Sequence, residues 1–175
     1  KRVETLKNIC RACGLESQIS FVSNWKAKRV QKEIVYWSIE EMDAMYDAAM
    51  EWMRSPEKMP MAIAHLIHYQ MAPRISDTVR LEWSSIDLTR GEIRFRASKN
   101  GKMCIQYLTE PVVRALNSYK ELVSDFNGGE QYLFPVSILK RKSSSGSEFV
   151  SVKTMRNWLR SISAEAAQRT GLDVR

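Results

Sequence analysis

Residues 71–87 place an arginine, Arg74, where a helix begins and an acid, Asp77, three residues further on. Downstream, Lys99 stands beside Asn100-Gly101, a dipeptide that favours a hairpin turn. An arginine fixed at a helix start and a lysine on a hairpin suit a phosphodiester better than a carbonyl or a sugar. A phosphate takes a planar, permanently charged fork on its non-bridging oxygens and a separate proton donor for its leaving oxygen. Each residue also has a plainer reading. Arg74 could bridge to Asp77, and Lys99 could be a solvated turn residue. Other cations could lie on a phosphate backbone: Lys26, Lys28 and Arg29 around Trp25, Lys102 at the hairpin, Lys140, Arg141 and Lys142 in a basic run, and Lys153, Arg156 and Arg160 on the last helix. Equally, they could be wet surface. His65 and His68 share a helix at a spacing open to a metal, but with two ligands and no acid nearby they read as packing residues.

The elements that must position these groups are legible from periodicity. Residues 2–14 form a helix stopped by Gly14, and 15–37 form a basic linker without period. Ser38 with Glu41 is a capping box, with Trp37 and Met42 as its staple, and Met42, Met45, Ala49, Trp52 and Met53 share the helical face that follows. Ile63, Leu66, Ile67 and Met71 carry the next helix as far as Pro73, whose fixed φ suits the first turn of a third. After Trp83 the period falls to two. Ile93, Phe95 and Ala97 alternate with Arg94 and Arg96, and residues 103–108 return as the second strand of a hairpin. Thr109 caps a helix through Val123. Leu133-Phe134-Pro135 is a short buried run, and a helix from Ser151 to Thr170 ends at Gly171. The expected fold is mainly α with a small antiparallel β-sheet, an α+β arrangement.

Bulk properties narrow the partner. The 175 residues carry 27 Lys and Arg against 20 Asp and Glu, a net charge of +7. This excess favours a polyanion such as double-stranded DNA. It is uneven, since residues 38–82 are acidic while the segments on either side are basic. Three cysteines are an odd set that points to a reducing compartment such as the cytoplasm. Cys10-x-x-Cys13 lacks a second half-site for zinc and falls in an apolar helical pattern, so both are expected to be buried small residues. No metal or cofactor is expected, and no apolar run is long enough to span a membrane.

The order of these elements resembles the catalytic domain of the tyrosine recombinase (phage integrase) family, a DNA breaking-rejoining fold. The resemblance rests on Arg74-Ile75-Ser76-Asp77, Leu81-Glu82-Trp83-Ser84-Ser85-Ile86-Asp87, Ser98-Lys99-Asn100-Gly101-Lys102 and Leu133-Phe134-Pro135. It covers residues 38–175, and residues 1–37 look like the end of the family's core-binding domain and its linker. The resemblance implies site-specific DNA recombination or integration by a phage or mobile-element enzyme that self-associates on DNA. A tyrosine attacks the phosphodiester, arginines stabilise the five-coordinate phosphorus, and a hairpin lysine protonates the departing 5′ oxygen. Residue by residue, Arg74 matches the first arginine, Lys99 the lysine and Asp77 a supporting acid, with Lys102 as the fallback for Lys99.

Two departures stand out. The family's His-x-x-Arg box and its nucleophilic tyrosine have no counterpart, because no histidine or tyrosine follows Tyr132. Ala72-Pro73 occupies the approach to Arg74, where the family usually has a glycine. The chain therefore reads as the N-terminal part of a catalytic domain, expected to bind DNA but not to cleave it alone. The competing reading is a non-catalytic helical DNA-binding regulator.

Overall fold

The computed structural model describes residues 2–18, 37–127, 131–139 and 147–171. Lys26, Lys28, Arg29, Lys140, Arg141 and Lys142 lie outside them. The chain divides into two compact units, Lys1–Tyr36 and Trp37–Arg175. In the first, α1 (Arg2–Ala12) ends ahead of Gly14, whose φ of 67° terminates the helix, and a 3-10 turn (Glu16–Gln18) follows. Leu6, Ile9 and Leu15 are exposed, Cys10 is half-buried and Cys13 is exposed. The expected burial of both cysteines does not hold among the described residues of this unit, which supply only that short turn beside the helix.

The described residues of the second unit are built on four long helices and a hairpin. Helix α2 (Ile39–Trp52) opens with the full capping box: the Glu41 amide donates to Ser38 Oγ at 3.1 Å, and the Ser38 amide donates to Glu41 Oε2 at 2.6 Å. Its face of Met45, Ala48, Ala49 and Trp52 is buried. Helix α3 (Met59–Met71) starts with Pro60 in its first turn and is buried continuously from Ala62 to Ile67. Such a helix, apolar almost all round, is the central one. It packs against α2, against α5 (Glu110–Asn127) and against α6 (Val152–Thr170). Between α3 and the sheet lies α4 (Ile75–Thr78), a single turn.

Helix α5 buries Val112, Leu116, Tyr119 and Val123 as its pattern requires, and it runs to Asn127, past the expected end at Val123. In α6, Ser151 Oγ caps the Thr154 amide at 3.0 Å, Met155, Ile162 and Ala166 are buried, and Gly171 closes the helix with φ 69°. Trp83, Tyr119, Phe134 and Trp158 form a chain of tilted and edge-on ring contacts with centroids 6.0, 6.2 and 6.1 Å apart. These rings join the end of the α4 segment to α5 and α6.

The sheet has the order β1-β2-β3, all antiparallel. Strand β1 (Ile86–Asp87) is only a two-residue strand set against Ile93 and Glu92 of β2 (Glu92–Arg96). It follows a 3-10 turn (Trp83–Ser85). Strand β3 (Met103–Tyr107) pairs with β2 through Arg94↔Ile105, Phe95↔Cys104 and Arg96↔Met103.

The hairpin loop is longer than the expected two-residue turn. The Ala97 amide donates to the Lys102 carbonyl and the Gly101 amide to the Ala97 carbonyl, both at 2.9 Å, enclosing the four residues Ser98 to Gly101. The tighter alternative needs positive φ at both Asn100 and Gly101, and only Gly101 has it, at 67°.

Candidate functional site

Arg74 is the N-cap of α4, with extended φ of −67° and ψ of 142°, and its side chain is exposed. Pro73 therefore precedes the helix rather than sitting in its first turn. The Arg74 carbonyl accepts the amides of Asp77 at 2.8 Å and Thr78 at 3.0 Å, and the Val79 amide donates to the Ile75 carbonyl at 3.1 Å to complete the turn. The approach is strained: Ala72 closes α3 with φ 44°, a left-handed conformation that glycine adopts freely and alanine does not.

Asp77 is buried, and its carboxylate faces the sheet rather than Arg74. Its Oδ1 accepts the backbone N–H of Ser98 at 3.2 Å. Among the described residues the Arg74 guanidinium forms no ion pair with Asp77 or with any other acid. The plain salt-bridge reading of Arg74 is not what the fold contains. Lys99, next to Ser98 in the loop, is likewise exposed and without an ion pair among the described residues. The loop beneath it is braced, since Arg96 Nη1 donates to the Gly101 carbonyl at 2.9 Å and the Lys102 amide to Asn100 Oδ1 at 3.2 Å.

A cleft of about 400 Å³ lies between α4 and the hairpin, walled by Asp77, Arg80, Glu82, Phe95, Arg96 and Ser98. Arg80 and Arg96 are cations of this cleft that sequence reasoning did not single out. Arg96 was noted only as the polar half of an alternating strand, and nothing in its spacing shows that it braces the loop. The Ser98 amide is a backbone group and leaves no mark in a sequence. Lys102 pairs with Ala97 at the base of the loop, below Lys99. Lys153, Arg156 and Arg160 form an exposed stripe on α6, and no hydrogen bond or ion pair joins them to Arg74 or Lys99.

The histidines are structural in their surroundings. His65 is buried, with Nε2 lacking a hydrogen-bond partner, and desolvation, helped by His68, pushes its pKa down to about 4. Burial also lowers the pKa of His68, whose ring bonds to Ala64 and Thr78. Among the described residues no three of His, Cys, Asp or Glu gather to hold a metal. Desolvation, then Glu148 and Glu82, push the Tyr132 phenol upward.

The segment after α4 is tied to the buried Leu133-Phe134 run. The Trp83 amide donates to the Gln131 carbonyl at 3.0 Å, the Leu133 amide to the Leu81 carbonyl at 2.7 Å, and the Tyr119 hydroxyl to the Leu133 carbonyl at 2.9 Å. Arg74, Trp83, the Lys99 hairpin and Leu133-Phe134-Pro135 thus occur in one assembly. Residues 37–173 match the model of the phage integrase family. The chain belongs to that family, the tyrosine recombinases. The crystal structure of a XerA recombinase superposes with a TM-score of 0.61 at 22% sequence identity, over 94% of this chain and 53% of that one. The chain thus spans about half the length of that recombinase. No curated protein matches the sequence. Among the described residues no helix is long and apolar enough to cross a membrane.

Proposed function

We propose that the protein containing these residues breaks and rejoins DNA at specific sites, with Arg74 and Lys99 as two groups of its active site. The observation that carries this reading is the Asp77–Ser98 hydrogen bond. It spends the nearby acid on the hairpin backbone and leaves the two cations on the elements it joins free for a ligand. The Arg74 guanidinium would hold non-bridging phosphate oxygens and stabilise the charge that grows there in the transition state. Lys99 would donate a proton to the 5′ oxygen as the P–O bond breaks and the tyrosyl O–P bond forms. The family's tyrosine is not matched by a residue of this chain. The 175 residues alone are expected to bind double-stranded DNA through Lys102, Lys153, Arg156 and Arg160 without forming a covalent adduct. Residues 1–37 would be the end of a core-binding domain and a linker, and 38–175 part of the catalytic domain.

The test uses the full-length protein and a nicked DNA substrate that traps the adduct. Arg74→Ala and Lys99→Ala should each lower single-turnover cleavage by about a hundredfold or more, with DNA affinity within a few-fold of the parent. A substrate with sulfur at the 5′ bridging position has a leaving group that needs no proton. It should restore Lys99→Ala and not Arg74→Ala. Full activity in both variants refutes the assignment and favours a non-catalytic DNA-binding module.

A further inference from the structure

Helix α4 has four residues, too few to hold its own direction. Its N-cap has no side-chain hydrogen bond, and its approach is the left-handed Ala72 followed by Pro73. The orientation of Arg74 must therefore come from tertiary contacts. One is the Asp77–Ser98 bond. A second runs the other way, into α3. His68 Nδ1 lies 2.8 Å from the Ala64 carbonyl, His68 Nε2 lies 3.3 Å from Thr78 Oγ1, and Thr78 Oγ1 lies 3.2 Å from the Arg74 carbonyl.

The proton inventory orders this chain. A carbonyl can only accept, so Nδ1 carries the ring proton toward Ala64. Thr78 has a single hydroxyl proton and two acceptors within reach. Burial lowers the pKa of the ring, so Nε2 presents a bare lone pair and shares the single Thr78 proton with the Arg74 carbonyl. The Arg74 carbonyl accepts the Asp77 and Thr78 amides as well as the Thr78 hydroxyl, so the hydroxyl ties His68 directly to the cap of the turn. Thr78 is fully buried, and its hydroxyl has no route to water as a substitute partner.

We infer that His68 is a positioning residue for Arg74: from α3 it holds the Thr78 hydroxyl, and through it the single helical turn that aims the Arg74 guanidinium. The inference rests on the proposed role of Arg74 and adds a residue with no contact to DNA. His68 and Thr78 act as a pair, so losing either should equal losing both.

Single-turnover cleavage by the full-length protein at saturating DNA tests this. Thr78→Val keeps the shape and removes the hydroxyl. It should slow cleavage about tenfold, the scale of a small misplacement, with the DNA Kd unchanged within twofold. Thr78→Ser should recover most of the rate. His68→Phe should slow the parent about tenfold but cost the Thr78→Val protein less than twofold more. A Thr78→Val rate equal to the parent's overturns the inference, as does Thr78→Ser as slow as Thr78→Val. Amide exchange in the 175-residue chain separates this from failure of the recombinase reading. Even if the parent forms no DNA adduct, Thr78→Val should speed exchange at the Asp77 and Thr78 amides at least tenfold, and Thr78→Ser should not. Unchanged exchange in Thr78→Val sinks the link by itself.

Discussion

The Asp77 carboxylate accepts the Ser98 backbone amide across 21 residues of sequence, at 3.2 Å. This bond joins two short pieces, a one-turn helix and a four-residue loop, into one wall of a cleft. A carboxylate acceptor makes the bond stronger than an amide–carbonyl pair, and burial of Asp77 removes competing water. Removing the acceptor strands a donor at the root of the Lys99 loop. Asp77→Ala should therefore cost about 2 kcal/mol of stability and raise hydrogen exchange at Ser98. Asp77→Asn keeps an acceptor oxygen and should lose about half as much. Denaturant unfolding with residue-resolved exchange reads both. Equal Ser98 protection in Asp77→Ala and the parent would show that the bond does not hold the loop.

Ala72 gives a prediction of opposite sign. At φ 44° its Cβ crowds the following carbonyl, at a cost of roughly 1–2 kcal/mol relative to a right-handed residue. Glycine relieves that strain but gains freedom in the unfolded chain, which returns about half of the benefit. Ala72→Gly should therefore raise stability by about 0.5–1 kcal/mol, whereas Ala72→Val should lower it. A destabilised Ala72→Gly protein in thermal unfolding would mean that the left-handed turn is not strained.

How much of this was legible beforehand depends on where each signal resides. The long helices could be read because their ends carry local chemistry: Ser38 with Glu41, and Gly171. The hairpin could be read because Ile93, Phe95 and Ala97 alternate with Arg94 and Arg96 over a face that is half-buried. Arg74 and Lys99 stand out by residue type, order and family resemblance alone. What escaped is set by tertiary contact. Strand β1 is two residues long and exists only through its pairing with β2. Ala72 takes a glycine's conformation because α3 must end there and turn toward α4. The Asp77–Ser98 and His68–Thr78 bonds join side chains to partners that no periodicity marks. The apolar stripe of α1 pointed to buried Cys10 and Cys13, but an amphipathic pattern states only what a helix could cover, not that a partner is there.

The buried His65 and half-buried His68 make stability pH-dependent, and the sign follows from proton counting. His65 binds a proton with a pKa of about 4 in the folded chain against 6.5 in the unfolded one. Between these values the unfolded state holds more protons, so stability falls as pH drops from about 6.5 to about 4 and levels off below. The loss is roughly 3 kcal/mol over the window, and His68, shifted in the same direction by burial, adds to it. Urea unfolding at pH 7 and pH 5 should show about 2 kcal/mol of that loss, and His65→Leu should remove most of it. A parent equally stable at both values would mean that His65 meets water or a proton acceptor in the fold.

The exposed stripe of Lys153, Arg156 and Arg160 on α6 gives the last prediction. Its cations recur three and four residues apart, opposite the buried Met155, Ile162 and Ala166, so they form one basic edge. If that edge lies along DNA, each contact displaces condensed counterions. Binding should then weaken linearly in log–log form with salt, at a slope of about −0.9 per phosphate neutralised. Each single alanine substitution should weaken binding to all sequences alike and reduce the slope by about one. Loss of affinity on one DNA sequence only would assign the stripe to base readout instead. An unchanged slope in the triple variant would leave α6 as a solvated face and confine the DNA surface to other parts of the protein, such as the cleft walled by Arg80 and Arg96.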